Sequence, residues 1–132
     1  MTKTGPPQNG VFQFKLDEHS GVPIYRQLID QVTSEIAIGN LLVGAQLPTV
    51  RQVAVDLAIN PNTVLRAYRE LEIRGVLDTH QGTGTFVSAA RAQPDVHERE
   101  RRLHQLVGEF LARAGAGGFS AQELMDGLKD RL

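Results

Sequence analysis

Apolar positions recur along the chain at two periods, and the switches between them mark its elements. Phe12, Phe14 and Leu16 alternate with Gln13 and Lys15, which predicts a short strand with one buried face, with residues 17–21 as the turn after it. Behind Pro23, well placed as a first helical residue, Ile24, Leu28, Val32 and Ile36 recur every four positions until Gly39 stops the helix. Residues 41–48 contain Gly44 and Pro48, cannot continue a helix, and read as a connector with apolar anchors. Thr49 caps a short second helix that carries Val50, Val53, Ala54 and Leu57 on one face and ends near Ala58 and Ile59. It has to end there, because Asn60 and Pro61 open the next one at once. In that third helix Val64, Ala67, Tyr68 and Leu71 form a half-buried stripe, and Gly75 closes it.

The period then falls to two. Residues 76–80 and 85–88 are short apolar and β-branched segments joined by Gln81-Gly82-Thr83-Gly84, a hairpin with a glycine turn. From residue 94 to about 114, a charged start gives way to the stripe Leu103, Leu106, Val107, Phe110 and Leu111, a helix of about five turns. Residues 115–118 break it, and Ser120 with Glu123 has capping-box spacing ahead of Leu124, Met125, Leu128 and Leu132. The fold class that follows is mainly α with a small β-hairpin. It comprises a flexible tail at 1–10, a winged helix-turn-helix domain at 11–88, a linker at 89–91 and a helical dimerisation hairpin at 92–132.

Composition narrows the picture. At 132 residues, 41% of them apolar, the chain suits one domain of about 60–80 residues with an accessory element. It has no cysteine, which removes disulfides, thiolate metal sites and Cys nucleophiles and fits a reducing cytoplasm. The first ten residues lack the pattern of a secretory signal, and no apolar run approaches the roughly 20 residues of a membrane helix. A cytoplasmic protein that makes no membrane contact is expected. The net charge of −1 by itself does not point to nucleic acid; between residues 23 and 88 five Arg stand against six Asp or Glu. Charge placement has to carry any DNA reading.

Placement does favour one. Two helices joined by a short turn, the second opening with polar side chains, have the geometry that pushes a helix N-terminus into the major groove. Asn62, Arg66 and Arg69 share the face opposite Val64 and Tyr68, and Thr63 lies beside them near the positive end of the helix dipole. Arg offers two donors to guanine, and Asn pairs in the same way with adenine. Arg51, in the first turn of the second helix, would lie across the turn, and the hairpin tip at Gly82, Thr83 and Gly84 could approach the minor groove or the DNA backbone without a side-chain clash. By residue type alone, Arg66 and Arg69 are more often a solvated face than a base reader, and Glu70 could pair with Arg66 or Arg74; the helix-turn-helix context reverses that weighting. Gly82-Thr83-Gly84 lacks the following helix and Lys of a phosphate loop. His97, Glu100 and His104 are too loosely spaced to argue for a metal site. No cofactor is expected.

Four motifs in order resemble the GntR family: Pro23-Ile24-Tyr25-Arg26-Gln27-Leu28; Leu47-Pro48-Thr49-Val50-Arg51; Asn60-Pro61-Asn62-Thr63-Val64-Leu65-Arg66-Ala67-Tyr68; and Gly75-Val76-Leu77 with Gly82-Thr83-Gly84-Thr85-Phe86-Val87. The Asn-Pro-Asn-Thr-Val block and the short tail after the wing look like the YtrA subfamily. The resemblance implies a repressor of transcription that binds double-stranded DNA at an inverted-repeat operator as a homodimer, often near transporter genes. It places the DNA-contacting positions on Arg51, Asn60, Asn62, Thr63, Arg66 and Gly82. Two positions depart from the family pattern: Ala58 stands where Gly is usual in the turn, and Leu65 is apolar where a polar residue is common. The tail leaves no room for the effector-binding domain of larger family members, and the sequence assigns no small-molecule effector.

The dimerisation residues are Leu103, Leu106, Val107, Phe110, Leu111, Leu124, Met125 and Leu128, because two short helices with such stripes bury little alone and a second copy would cover them. The competing reading is a protein-interaction module that keeps the winged helix without reading DNA. An enzyme finds no support, since no nucleophile stands with a base and no carboxylates pair on a rigid face.

Overall fold

The computed structural model describes residues 12–89 and 95–132. The tail at 1–10 and most of the linker at 89–91 lie outside the described residues. The chain divides into two compact units, Met1–Arg91 and Ala92–Leu132. Among the described residues no helix is long and apolar enough to cross a membrane.

The first unit holds α1 (Ile24–Ile38), β1 (Gln46–Leu47), α2 (Val50–Leu57), α3 (Pro61–Ile73), β2 (Leu77–His80) and β3 (Gly84–Val87). Pro23 is the N-cap of α1 and not its first helical residue. The buried face of α1 is Leu28, Ile29 and Val32, while Ile24 stays 37% exposed. A four-residue repeat overshoots each turn by about 40°, so a strict every-fourth stripe winds off the core. Leu28 and Val32 are the stripe residues that stay buried in the core, and Ile29 joins them from outside the stripe.

Residues 12–16 form no strand, contrary to their alternation. Phe14 is buried, and its ring meets Phe12 edge-on at 4.7 Å and Tyr68 at 6.4 Å. The polar backbone is answered by side-chain amides of α1 in place of a neighbouring strand. The Lys15 N–H donates to Gln31 Oε1 at 2.9 Å, and Gln31 Nε2 donates back to the Lys15 carbonyl. One turn earlier, Gln27 treats Asp17 in the same way at 2.9 and 3.0 Å. Alternation reported the buried face correctly, but the pairing partner is a helix.

The connector at 41–48 contains a strand. Gln46 pairs with Phe86 and Leu47 with Thr85, so β1 lies against β3 in a three-stranded antiparallel sheet of order β1-β3-β2. β2 and β3 form the expected hairpin, with Leu77 opposite Val87 and His80 opposite Gly84. Leu28, Val32, Leu47, Val53, Val64, Leu71, Leu77 and Val87 bring all six elements into one core, each at most 3% exposed. Removing a Leu or Val of this kind from water is worth about 1.5–3 kcal/mol.

Helix ends in both units follow one device. At α1 the N–H of Asn40 donates to the Glu35 carbonyl and that of Gly39 to Ile36, with Gly39 at φ 98°. α3 ends in the same way on Leu71 and Glu72, with Gly75 at φ 77°. At α2 the equivalent left-handed residue is Ala58, φ 55°. Among the described residues it is the one non-glycine at positive φ, a conformation that crowds a Cβ.

The second unit contains α4 (Val96–Ala116) and α5 (Ala121–Arg131). Asp95 caps α4 by accepting from the Glu98 N–H at 2.9 Å, and Ser120 with Glu123 makes both halves of a capping box on α5. α4 passes through Gly115 and ends at Ala116, two residues later than the break at 115–118 suggested. A helical Gly costs only about 1 kcal/mol relative to Ala, whereas Gly118, at φ 87°, supplies the left-handed stop. Of the unit's described residues only Ala114 is buried.

Candidate nucleic-acid interface

The interface is built on the turn between α2 and α3. Thr49 opens α2 by accepting from the Gln52 N–H at 3.0 Å. At its far end the Ile59 N–H donates to the Ala54 carbonyl at 3.0 Å, and half-buried Ile59 packs on the core. Asn60 follows with an extended backbone, and its Oδ1 accepts from the Asn62 N–H at 2.8 Å. Pro61 at the first helical position has no N–H to satisfy. Capping thus occupies the oxygen of Asn60 and leaves its amide group for other contacts.

α3 is oriented by its buried side. Val64, Ala67 and Leu71 are wholly buried, and the Tyr68 hydroxyl donates to the Pro48 carbonyl at 2.5 Å. That bond ties the helix to the segment just before α2, and burial pushes the Tyr68 pKa up. The opposite side presents Asn62, Arg66 and Arg69 exposed, with Thr63 and Leu65 half-buried. Two shallow depressions meet there. One, of about 360 Å³, is lined by Ile24, Tyr25, Asn60, Asn62, Thr63 and Arg66. The other, of about 340 Å³, is lined by Asn62, Leu65, Arg66, Arg69, Glu70 and Ile73. Neither includes Arg51, Gly82 or Thr83, which stand exposed on α2 and the hairpin tip.

The charges resolve one alternative in the sequence. Glu70 pairs with Arg74 at 3.0 Å and not with Arg66. Among the described residues no carboxylate forms an ion pair with Arg51, Arg66 or Arg69. Arg66 instead stacks on Tyr25, its guanidinium carbon 3.7 Å from the ring centroid. Tyr25 belongs to the site and was not singled out from sequence. Its only signal is a place in the first turn of α1, and nothing local says that α3 passes over it.

The hairpin tip is held as well as turned. Gly82 has φ 81°, the Thr83 N–H donates to the His80 carbonyl at 2.9 Å, and Gln46 Nε2 donates to the Thr83 carbonyl at 3.2 Å. Gly84 is needed at its position: its φ is 136°, and a Cβ there would lie 2.6 Å from Gln46 Nε2. β1 therefore braces the wing by pairing with β3 and holds its tip through the Gln46 side chain.

A helix-turn-helix whose α3 presents Arg66 and Arg69 on its exposed face, together with a braced hairpin, defines the class, a winged helix-turn-helix DNA-binding domain. Residues 24–87 match the model for bacterial regulatory proteins of the gntR family. The chain is 31% identical to the HTH-type transcriptional repressor YtrA of Bacillus subtilis, over 88% of its own length and 89% of that protein's. In fold it is similar to a transcriptional antiterminator of Listeria monocytogenes, with a TM-score of 0.68 and 25% identity over 91% and 90% of the two chains. It is also similar to YtrA of Sulfolobus acidocaldarius, a GntR-family transcription factor, with a TM-score of 0.53 and 32% identity over 75% and 97%. The chain belongs to the GntR family of transcription regulators.

Proposed function

We propose that this regulator is a cytoplasmic repressor that binds an inverted-repeat operator as a homodimer, each copy laying α3 in the major groove and its wing along the backbone. The observation that carries the reading is the exposed face of α3, where Asn62, Arg66 and Arg69 have no carboxylate ion-pair partner among the described residues while the opposite face is locked in the core. Arg66 and Arg69 supply donors for guanine, Asn62 for adenine, and Thr63, Arg51 and Thr83 hydrogen-bond donors for phosphate. Asn60 and Gly82 add an amide and a close backbone approach. The stripe from Leu103 to Leu128 supports the dimer, because Leu103, Leu106, Val107, Phe110, Leu111, Met125 and Leu128 are each 44–62% exposed, and half-buried Leu124 adjoins them. Pairing two heads raises affinity through effective concentration without any new base contact. Resemblance to the YtrA group extends the proposal to control of a transporter operon.

The test is a fluorescence-anisotropy titration against the duplex upstream of the protein's own gene and a scrambled duplex, over a salt series. Tight, salt-dependent binding to the upstream duplex is expected, weakened by about 1–3 kcal/mol in Arg66→Ala. Absence of binding to any duplex, including those selected from a random pool, refutes the reading and favours an interaction module.

A further inference from the structure

Tyr25 has no part in the DNA reading just given, yet it occupies the depression at the start of α3. It is half-buried on α1, and its ring faces the Arg66 guanidinium at 3.7 Å. A guanidinium carries its five N–H donors in its own plane. Stacking therefore uses the face of Arg66 and leaves free the edge that makes the two-bond pair with guanine. Without the ring, Arg66 would be a long side chain sampling many rotamers on an exposed surface, and each would have to be given up on docking. Glu70, the carboxylate that helical spacing brings nearest, is held by Arg74 and does not draw Arg66 away.

We propose that Tyr25 is a positioning residue for base recognition: its ring holds Arg66 ready for guanine and so sharpens specificity at one operator position. The proposal rests on α3 reading DNA and adds a contribution from α1. The aromatic face carries the effect, and the hydroxyl is dispensable.

The experiment uses the full chain and a duplex selected from a random-sequence pool, together with single-base-pair variants of it. Wild type, Tyr25→Phe, Tyr25→Leu, Arg66→Ala and the Tyr25→Leu/Arg66→Ala double variant are compared by anisotropy. Tyr25→Phe is expected to bind within 2-fold of wild type. Tyr25→Leu should bind about 2- to 5-fold more weakly, the size of an exposed cation–π pair. Its loss should fall at the base pair to which Arg66→Ala is also blind, and should vanish on the Arg66→Ala background. An effect of Tyr25→Leu that is equal on both backgrounds overturns the proposal, because it then acts through the fold or its own phosphate contact. Tyr25→Phe as weak as Tyr25→Leu overturns it too, since the hydroxyl would be the active group. If Arg66→Ala leaves specific binding intact, the reading of DNA by α3 fails first, and the role of Tyr25 with it.

Discussion

Tyr68→Phe isolates one hydrogen bond in the joint between α3 and the segment entering α2. The ring stays in place, 3% exposed against Phe14 and the core, so no cavity opens. What is lost is the donor to the Pro48 carbonyl, and Pro48 is itself buried. An acceptor stranded in that way costs about 1–3 kcal/mol. In a domain of this size each kcal/mol lowers Tm by about 4–8 °C, so a fall of at least about 4 °C is expected. The assay is thermal unfolding by circular dichroism at matched protein concentration, because a dimer makes Tm concentration-dependent. A second axis is pH. Burial raises the pKa of Tyr68 above the ordinary value of about 10. Below pH 10 both folded and unfolded chains keep the proton and the contribution is fully present. Above it the unfolded chain releases the proton first, so stability falls as pH rises toward the folded pKa. That part of the alkaline slope should vanish in Tyr68→Phe. An unchanged Tm together with an unchanged alkaline slope would refute the reasoning and mean that the bond contributes nothing.

Two further outcomes are expected. Ala58→Gly relieves a left-handed residue, a gain of about 1–2 kcal/mol offset by about 0.5–1 kcal/mol of extra chain entropy in the unfolded state. A net rise of about 0.5 kcal/mol should appear in denaturant melts, and a drop in stability would contradict the strain argument. Phe110→Glu places a charge in the exposed stripe of α4, where Phe110 is 47% exposed. Both copies lose about 1.5–3 kcal/mol of apolar burial, so sedimentation velocity should show the dimer dissociation constant rise at least about 100-fold. An undisturbed dimer would move the interface elsewhere.

Local chemistry made much of the fold legible. Thr49, Asn60 with Pro61, and Ser120 with Glu123 announce helix starts through bonds that close within three residues, and the structure forms each of them. The outward side of α3 was readable because Val64 and Tyr68 fix the inward one. What escaped depends on partners distant in the chain. The alternation of Phe12, Phe14 and Leu16 shows a buried face but cannot say that Gln27 and Gln31 replace a strand. β1 is two residues long, too short for any period, and exists because β3 lies beside it. Arg66 finds Tyr25 only after α1 and α3 have packed. Ala58 takes up a glycine's conformation because the turn demands it, with nothing in its type to announce that.

The acidic balance of the head bears on how the protein searches a genome. Asp30, Glu35, Asp56, Glu70, Glu72 and Asp78 outnumber the five arginines of residues 23–88. Affinity for random duplex grows with the number of phosphates neutralised, so a head with few free cations dwells briefly on the wrong sequence. Some 10⁶–10⁹ competing positions then sequester less of the protein. On the proposed reading, more of each cell's pool would stay unbound between encounters, and a small number of copies would suffice to keep an operator occupied.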